Sequence, residues 1–266
     1  MNVLFVGRGR VGRGLHKLTR KDHPNWKLTS GHRPSRRLVG AASVIVLAVP
    51  DPAIAETAAG IAPLLTARSR VLHCAGSRTA KELDVCKKTG ARVGAMHPLA
   101  SFADPARPPN LHGVTFVISG DGPAITAAKH IARAVGARPL ALPIHGPQYH
   151  ALAAMVAGGT VGFVHTTIPA LERMGLSKRE AENAAAILVR TVAENIATIG
   201  LPAALTGPVI RGDAGTVAAH RKALRSLSPN LAAAYDAVAP LVLACAVSAG
   251  LDKKVAAQIR RALNSR

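Results

Sequence analysis

The sequence predicts an α/β protein: a mainly parallel, doubly wound sheet followed by an all-α C-terminal domain. Two observations carry that expectation. Up to about residue 142, short β-branched runs alternate with helix-length segments, and beyond Pro143 long Ala- and Leu-rich stretches replace them. Strands separated by helices imply right-handed crossovers, hence parallel pairing with helices on both faces. The break near 145 divides a sheet domain, 1–145, from a helical domain, 146–266.

Taken in order, strands are expected at 3–6, 26–29, 43–49, 70–74, 91–96, 115–119 and 139–142. Helices of the second domain are expected at 148–174, 178–199, 214–227, 229–249 and 253–263. Their starts carry chemical signals. Ser177 with Glu180 three residues on reads as a capping box, Asp213 stands before 214–227, and Ser228 precedes Pro229 at a first helical position.

Composition narrows the classes of function. Apolar residues make up 48% of the 266 but aromatic residues only 3%, so the core is aliphatic and single-strand nucleic-acid binding by base stacking is disfavoured. Lys and Arg number 34 against 14 Asp and Glu, a net charge of +20. That field attracts nucleotides, carboxylates and polyanions alike. The basic residues are scattered, with no block of five like charges, so nucleic acid is not the expected partner. Three cysteines without a CxxC spacing indicate neither a metal site nor a disulfide framework, and they fit a reducing cytoplasm. The opening "MNVLFVGRG" has an apolar run of four residues before a glycine turn and is expected as a strand, not a signal segment. The apolar stretches 151–164 and 237–249 are interrupted by Gly, Pro or Ser and are expected to fall short of a membrane span.

Gly7, Gly9 and Gly12 form GxGxxG between the first strand and the first helix, the context in which that spacing cradles a pyrophosphate. Gly7 would allow the tight turn, Gly9 the approach of phosphate, and Gly12 close packing of helix on sheet. Arg8, Arg10 and Val11 complete the turn, at a helix N-terminus whose free amides favour anions. The alternative is a glycine-rich turn without ligand. Some twenty residues on, an NAD site would carry an acid for the ribose hydroxyls. Instead "SGHRPSRR" offers Ser30, His32, Arg33, Ser35 and Arg36, which suits a 2′-phosphate and favours NADP(H). Arg37 beside them reads equally as a solvated residue. Val49, Pro50 and Asp51, after the third strand, fall where a nicotinamide ribose would lie, as does Gly76 after the fourth; Asp51 either touches the cofactor or caps the helix beyond Pro52.

The same sheet edge receives His73 and Ser77 from "LHCAGS" and His97 from "GAMHPLASF". An imidazole there can exchange a proton with a substrate oxygen near neutral pH; otherwise it is structural. The helical part adds Tyr149 and His150 in "HGPQYHALAA", and Arg211 and Asp213 in "LTGPVIRGD". A guanidinium can take a substrate carboxylate in a bidentate pair. Alternatively Arg211 and Asp213 pair with each other while Asp213 caps the next helix.

The order GxGxxG, "AVPD", "HCAGS", "MHPLASF", "YHALAA" and "LTGPVIRGD" resembles bacterial Rossmann-like NADP-binding proteins whose helical C-terminal half is a domain of unknown function. These sit in the superfamily of 6-phosphogluconate and prephenate dehydrogenases, ketopantoate reductase and pyrroline-5-carboxylate reductase. The resemblance implies a two-domain NADP-dependent oxidoreductase, homodimeric through its helices. In prephenate dehydrogenases a Ser after the fourth strand and a His after the fifth contact the substrate hydroxyl; Ser77 and His97 hold similar places, while Leu99, Ala100 and "GSR" depart from the pattern. The expectation is an NADPH-dependent reductase of a small, anionic carbonyl or imine compound such as a 2-keto acid. Ser77 and His97 would be catalytic, with His97 the proton donor. Tyr149 and His150 would orient the substrate, and Arg211 and Asp213 would hold its polar end. The alternatives are a non-catalytic NADP-binding sensor or partner protein, and a polyanion binder.

Overall fold

The structure, a computed structural model, describes residues 1–29 and 34–264. The expectation that Ser30, His32 and Arg33 bind the cofactor therefore lies outside the described residues. The chain divides into two compact units, Met1–Ala157 and Gly158–Arg266.

The first unit is a seven-stranded sheet. Its elements run β1 (Val3–Val6), α1 (Arg10–Thr19), β2 (Lys27–Thr29), α2 (Arg36–Ala41), β3 (Val44–Leu47), α3 (Ile54–Ile61), β4 (Arg70–His73), α4 (Asp84–Lys87), β5 (Arg92–Pro98), β6 (Thr115–Gly120), α5 (Gly122–Ala134) and β7 (Arg138–Ala141). All seven expected strands form. The sheet order is β2-β1-β3-β4-β5-β6-β7, and β1 to β5 pair in parallel. Two short strands, β1 and β3, are buried at every residue, as parallel strands covered on both faces must be. Alternate residues feed two apolar layers: Val3, Phe5, Val44, Val46 and Leu72 on one face, Leu4, Val6, Ile45, Leu47 and Val71 on the other.

The last two strands depart from the parallel pattern. β6 runs antiparallel to β5, with His97 opposite Val117, and β7 follows β6 in parallel. The cause lies between β5 and β6, where "LASFADPARPPNLHGV" forms no helix, and without a crossover helix a parallel return is not available. The carboxyl ends of β1, β3, β4 and β5 thus share one edge, and the order reverses between β1 and β3. Such a reversal is where open α/β sheets bind their ligands.

A 27-residue helix, α6 (Pro147–Arg173), crosses the unit boundary. The sequence placed that boundary near 145, but Gly146 N–H donates to the Gly76 carbonyl at 3.0 Å, and the first turns of α6 stay with the sheet. The second unit holds the rest of α6 with α7 (Lys178–Ile199), α8 (Ala214–Leu227), α9 (Pro229–Ser248) and α10 (Lys253–Asn264). Ser177 and Glu180 make the expected capping box, and Asp213 accepts from the Thr216 amide at 2.9 Å. Ser228 stands at the N-cap of α9 with Pro229 at the first position, but its side chain makes no cap bond. Val217, Ala239, Leu243, Ala246 and Ile259 build an apolar core among α8, α9 and α10. Against it Arg221 is locked by two bonds to Asp236, at 2.6 and 3.0 Å.

The helices expected at 148–174 and 229–249 form unbroken as α6 and α9. Pro169 and Pro240 lie inside them, and, contrary to the expectation that their apolar stretches fall short of a membrane span, both helices are long and apolar enough to cross one by length and composition. In α7 only Ala181 is buried, so Leu188, Val192 and Ile199 face outward.

Candidate functional site

Two cavities lie on the carboxyl edge of the first unit. One, of 430 Å³, is lined by Gly7–Val11, Ala48–Asp51, Cys74 and Ala75, and it sits at the reversal between β1 and β3. Here the glycine spacing has a geometric cause. Gly7 has φ +115°, and a Cβ on it would lie 2.3 Å from the Ala48 carbonyl oxygen; a Cβ on Gly12 would lie 2.1 Å from the Gly7 oxygen. At Gly9 the space is open, with nothing nearer than 3.8 Å.

Gly9 is also the N-cap of α1. No side chain caps this helix, and its first turn holds no acidic residue. The unpaired amides and the positive end of the helix dipole therefore face the cavity, which is the chemistry a phosphate group needs. The fit to a dinucleotide phosphate rests on this turn. Arg8 and Arg10 line the cavity and are exposed. Arg13 points to solvent from α1. Ser35 is the N-cap of α2, its hydroxyl accepting from the Leu38 amide at 3.4 Å, and Arg36 is exposed in the first turn of that helix. Neither belongs to the cavity lining. Burial pushes the Cys74 thiol up to about 12, which leaves it protonated and inert.

The second cavity, of 480 Å³, is lined by His97, Leu99, Ala100, Ser101, Tyr149, His150 and the α6 residues Leu152, Ala153, Ala154, Val156 and Ala157. His97 comes from the end of β5 and Tyr149 from the first turn of α6. His97 Nδ1 and the Tyr149 hydroxyl are 2.8 Å apart, with the rings edge to face. Gly76 makes this packing possible: a Cβ there would lie 2.9 Å from His97 Nε2 and 3.0 Å from His150 Cδ2. Gly76, expected as a cofactor contact, is not in the lining of the glycine-turn cavity; it packs against two imidazoles.

Asp51, in the lining of the first cavity, is held by Ser77. The Ser77 hydroxyl donates to the Asp51 carboxylate in a short hydrogen bond. Asp51 heads a 3-10 turn, Asp51–Ala53, with no side-chain cap bond, so of its two expected roles capping is not the one adopted. His73 is structural. The Ala75 amide donates to its Nδ1 at 3.2 Å, which puts the ring hydrogen on Nε2, 3.0 Å from the Thr79 carbonyl. Burial lowers its pKa.

Electrostatics set the protonation state of His97. Burial, reinforced by His150 and only partly opposed by Asp51, brings its pKa down to about 4. The imidazole is therefore neutral at neutral pH, and any proton it donates comes from the neutral ring. His145, which the sequence reading did not single out, is similar. Buried against Ser119, 2.9 Å from its hydroxyl, it is lowered to about 4 by burial and by His73. Its Nε2 has no hydrogen-bond partner among the described residues. The position of His145, between Pro143 and Gly146 just ahead of α6, was the available signal. Burial raises the Tyr149 pKa.

Arg211 and Asp213 belong to the second unit. Both are exposed, no ion pair joins them among the described residues, and Asp213 is engaged as the α8 cap with Thr216. No group of His, Cys, Asp and Glu suited to a metal ion occurs among the described residues.

Residues 114–241 match the family model described as Domain of unknown function (DUF2520). The match begins at the start of β6 and ends within α9, so it includes the antiparallel edge of the sheet. No curated protein matches the sequence. Among solved structures, the chain is similar to protein TM1727 of Thermotoga maritima, with 23% identity, a TM-score of 0.68, and 93% of this chain and 99% of that one covered. It is similar to a pyrroline-5-carboxylate reductase of Coxiella burnetii, at 18% identity and TM-score 0.57, with 100% and 99% covered. A reductive aminase of Aspergillus terreus, solved with NADPH and ethyl-5-oxohexanoate, has 17% identity and TM-score 0.58, with 98% of each chain covered. These likenesses establish the Rossmann-type fold with its helical C-terminal region.

Proposed function

We propose that this protein is an NADPH-dependent reductase of a small carbonyl or imine compound. The observation that carries the reading is the uncapped N-terminus of α1 above the glycine turn, opening on the same sheet edge as the His97–Tyr149 pair. The fold neighbours support it: one is a reductive aminase solved with NADPH and another a pyrroline-5-carboxylate reductase.

NADPH, when bound, would supply the hydride. Gly7, Gly9 and the amides of Arg10, Val11 and Gly12 would hold its phosphates, and Val49, Pro50 and Asp51, in the lining of the same cavity, would contact the rest of the nucleotide. Arg8, with Arg36 and the acid-free segment before it, favours the 2′-phosphate. His97 acts as a neutral imidazole, hydrogen-bonded to Tyr149, and the pair would deliver one proton to the product oxygen or nitrogen. The proton is then replaced from solvent. Ser77 acts through Asp51, and His150 orients the substrate from above Gly76.

The protein is further proposed to be a soluble, cytoplasmic homodimer. Outward-facing Leu188, Val192 and Ile199 of α7 and Val161 and Phe163 of α6 support a second copy as their cover. Recovery without detergent as a dimer that Val192→Arg splits is the expected outcome.

Loss of NADPH absorbance across ketones, aldehydes, imines and keto acids tests the reductase reading. His97→Asn and Tyr149→Phe should each lower kcat by roughly a hundredfold with NADPH affinity unchanged. Nucleotide binding without turnover of any member would instead favour a sensor, and unchanged turnover in His97→Asn would remove that residue from catalysis.

A further inference from the structure

The wall of the His97 cavity departs from the anionic substrate the sequence suggested. Tyr149, Leu152, Ala153, Val156 and Ala157 recur at the three- and four-residue spacing of one helix face. From Tyr149 to Ala157 that face runs about 12 Å along α6, at 1.5 Å per residue. Opposite it stand Leu99, Ala100 and Ser101. Hydrogen-bonding rings gather at one end, where His97, Tyr149 and His150 meet, and the remainder is aliphatic save for Ser101. Among the described residues, no Lys, Arg, Asp or Glu lines the cavity.

A carboxylate seated along this wall would shed part of its water without gaining a cation, which is unfavourable. The net +20 charge does not replace a partner, because exposed charges beyond about 8–10 Å are screened at physiological salt. Arg211, the residue expected to hold a carboxylate, lies in the other unit, exposed beside the α8 cap. A 480 Å³ cavity with few convergent polar groups and an apolar body has the form of a small-molecule site.

We propose that this cavity takes an uncharged carbonyl or imine compound with an aliphatic body. Its reactive group meets His97 and Tyr149 and its chain lies along the Leu152–Val156 face of α6. The inference rests on the reductase reading for the identity of the reacting group, and on the cavity wall for the body.

The test uses a matched pair, heptan-2-one and 2-oxoheptanoate, which differ only by methyl against carboxylate next to the carbonyl. Each is titrated calorimetrically into the full-length protein saturated with NADP+, at physiological salt. The ketone should bind roughly tenfold or more tightly than the keto acid. Leu152→Asp and Val156→Asp, both at exposed positions that tolerate charge, should each weaken ketone binding by about tenfold. Arg211→Ala should leave both affinities unchanged. Tighter binding of the keto acid, its loss in Arg211→Ala, or no heat from either ligand would overturn the proposal. NADPH consumption is read separately: the predicted binding pattern without turnover would sink the reductase reading and leave the cavity assignment standing.

Discussion

The glycine-turn cavity and the His97 cavity open on one sheet edge and differ little in volume, 430 against 480 Å³, yet they are built by opposite means. In the first, backbone makes the recognition surface: three glycines admit close approach and an uncapped helix offers amides. In the second, side chains make it, an aliphatic stripe of α6 ending in paired rings. The first surface suits an anion and the second an uncharged body. Each can be broken without the other, because the glycines that shape them, Gly12 and Gly76, meet different neighbours.

The largest effect is expected at Gly12. A methyl there meets backbone, the Gly7 oxygen at 2.1 Å, which cannot step aside. Gly12→Ala should cost about 3 kcal/mol of stability and roughly a hundredfold in NADPH affinity, read by chemical denaturation and by fluorescence titration. At Gly76 the nearest atoms to the methyl would be the tips of two imidazoles, side chains that can rotate away. Gly76→Ala should therefore keep its stability and its NADPH affinity, but turnover should fall by roughly tenfold to a hundredfold as His97 leaves Tyr149. Equal losses in both variants would erase the distinction between the cavities.

Acid offers a third way to separate them. His97 and His145 both stay unprotonated until about pH 4 when folded, whereas the unfolded chain takes up protons near 6.5. The folded state thus binds fewer protons across that window. Its stability should be full above pH 6.5 and should fall as pH drops toward 4. Thermal melts of a His97→Asn, His145→Asn double variant should show a shallower decline than the parent, while nucleotide affinity in the variant at neutral pH stays unchanged. The smallest effect is expected at Ser35. As a cap of α2 its loss to Ala should cost about 1 kcal/mol and move NADPH affinity by less than about twofold.

What the sequence disclosed and what it hid follow the same division. Features with a local cause were legible: the glycine turn after β1, the capping box at Ser177, the Asp213 cap, and the alternation of strands with helices. The antiparallel β5–β6 pair was also legible in principle, since the proline-rich stretch between those strands offers no helix to carry a crossover. Contacts closed by the fold were not legible. The Asp51–Ser77 bond spans 26 residues and the His97–Tyr149 bond 52, and no local pattern ties those partners. The charge state of His97 depends on burial and on His150 across the cavity, so the residues beside it in sequence do not disclose it. The stripe at Leu152, Ala153 and Val156 was visible as helix periodicity, but only the fold turns it toward the end of β5.

The most direct measurement concerns the N-terminus of α1, through Gly9→Asp. Position 9 has room for a side chain and an ordinary φ of −70°. A carboxylate there caps the helix and complements its dipole, so the phosphate-turn assignment predicts a gain of about 0.5 kcal/mol in stability. The same carboxylate occupies the amides and repels a phosphate, so NADPH affinity measured calorimetrically should fall by roughly a hundredfold or more. A stabilised protein that still binds NADPH like the parent would contradict the assignment.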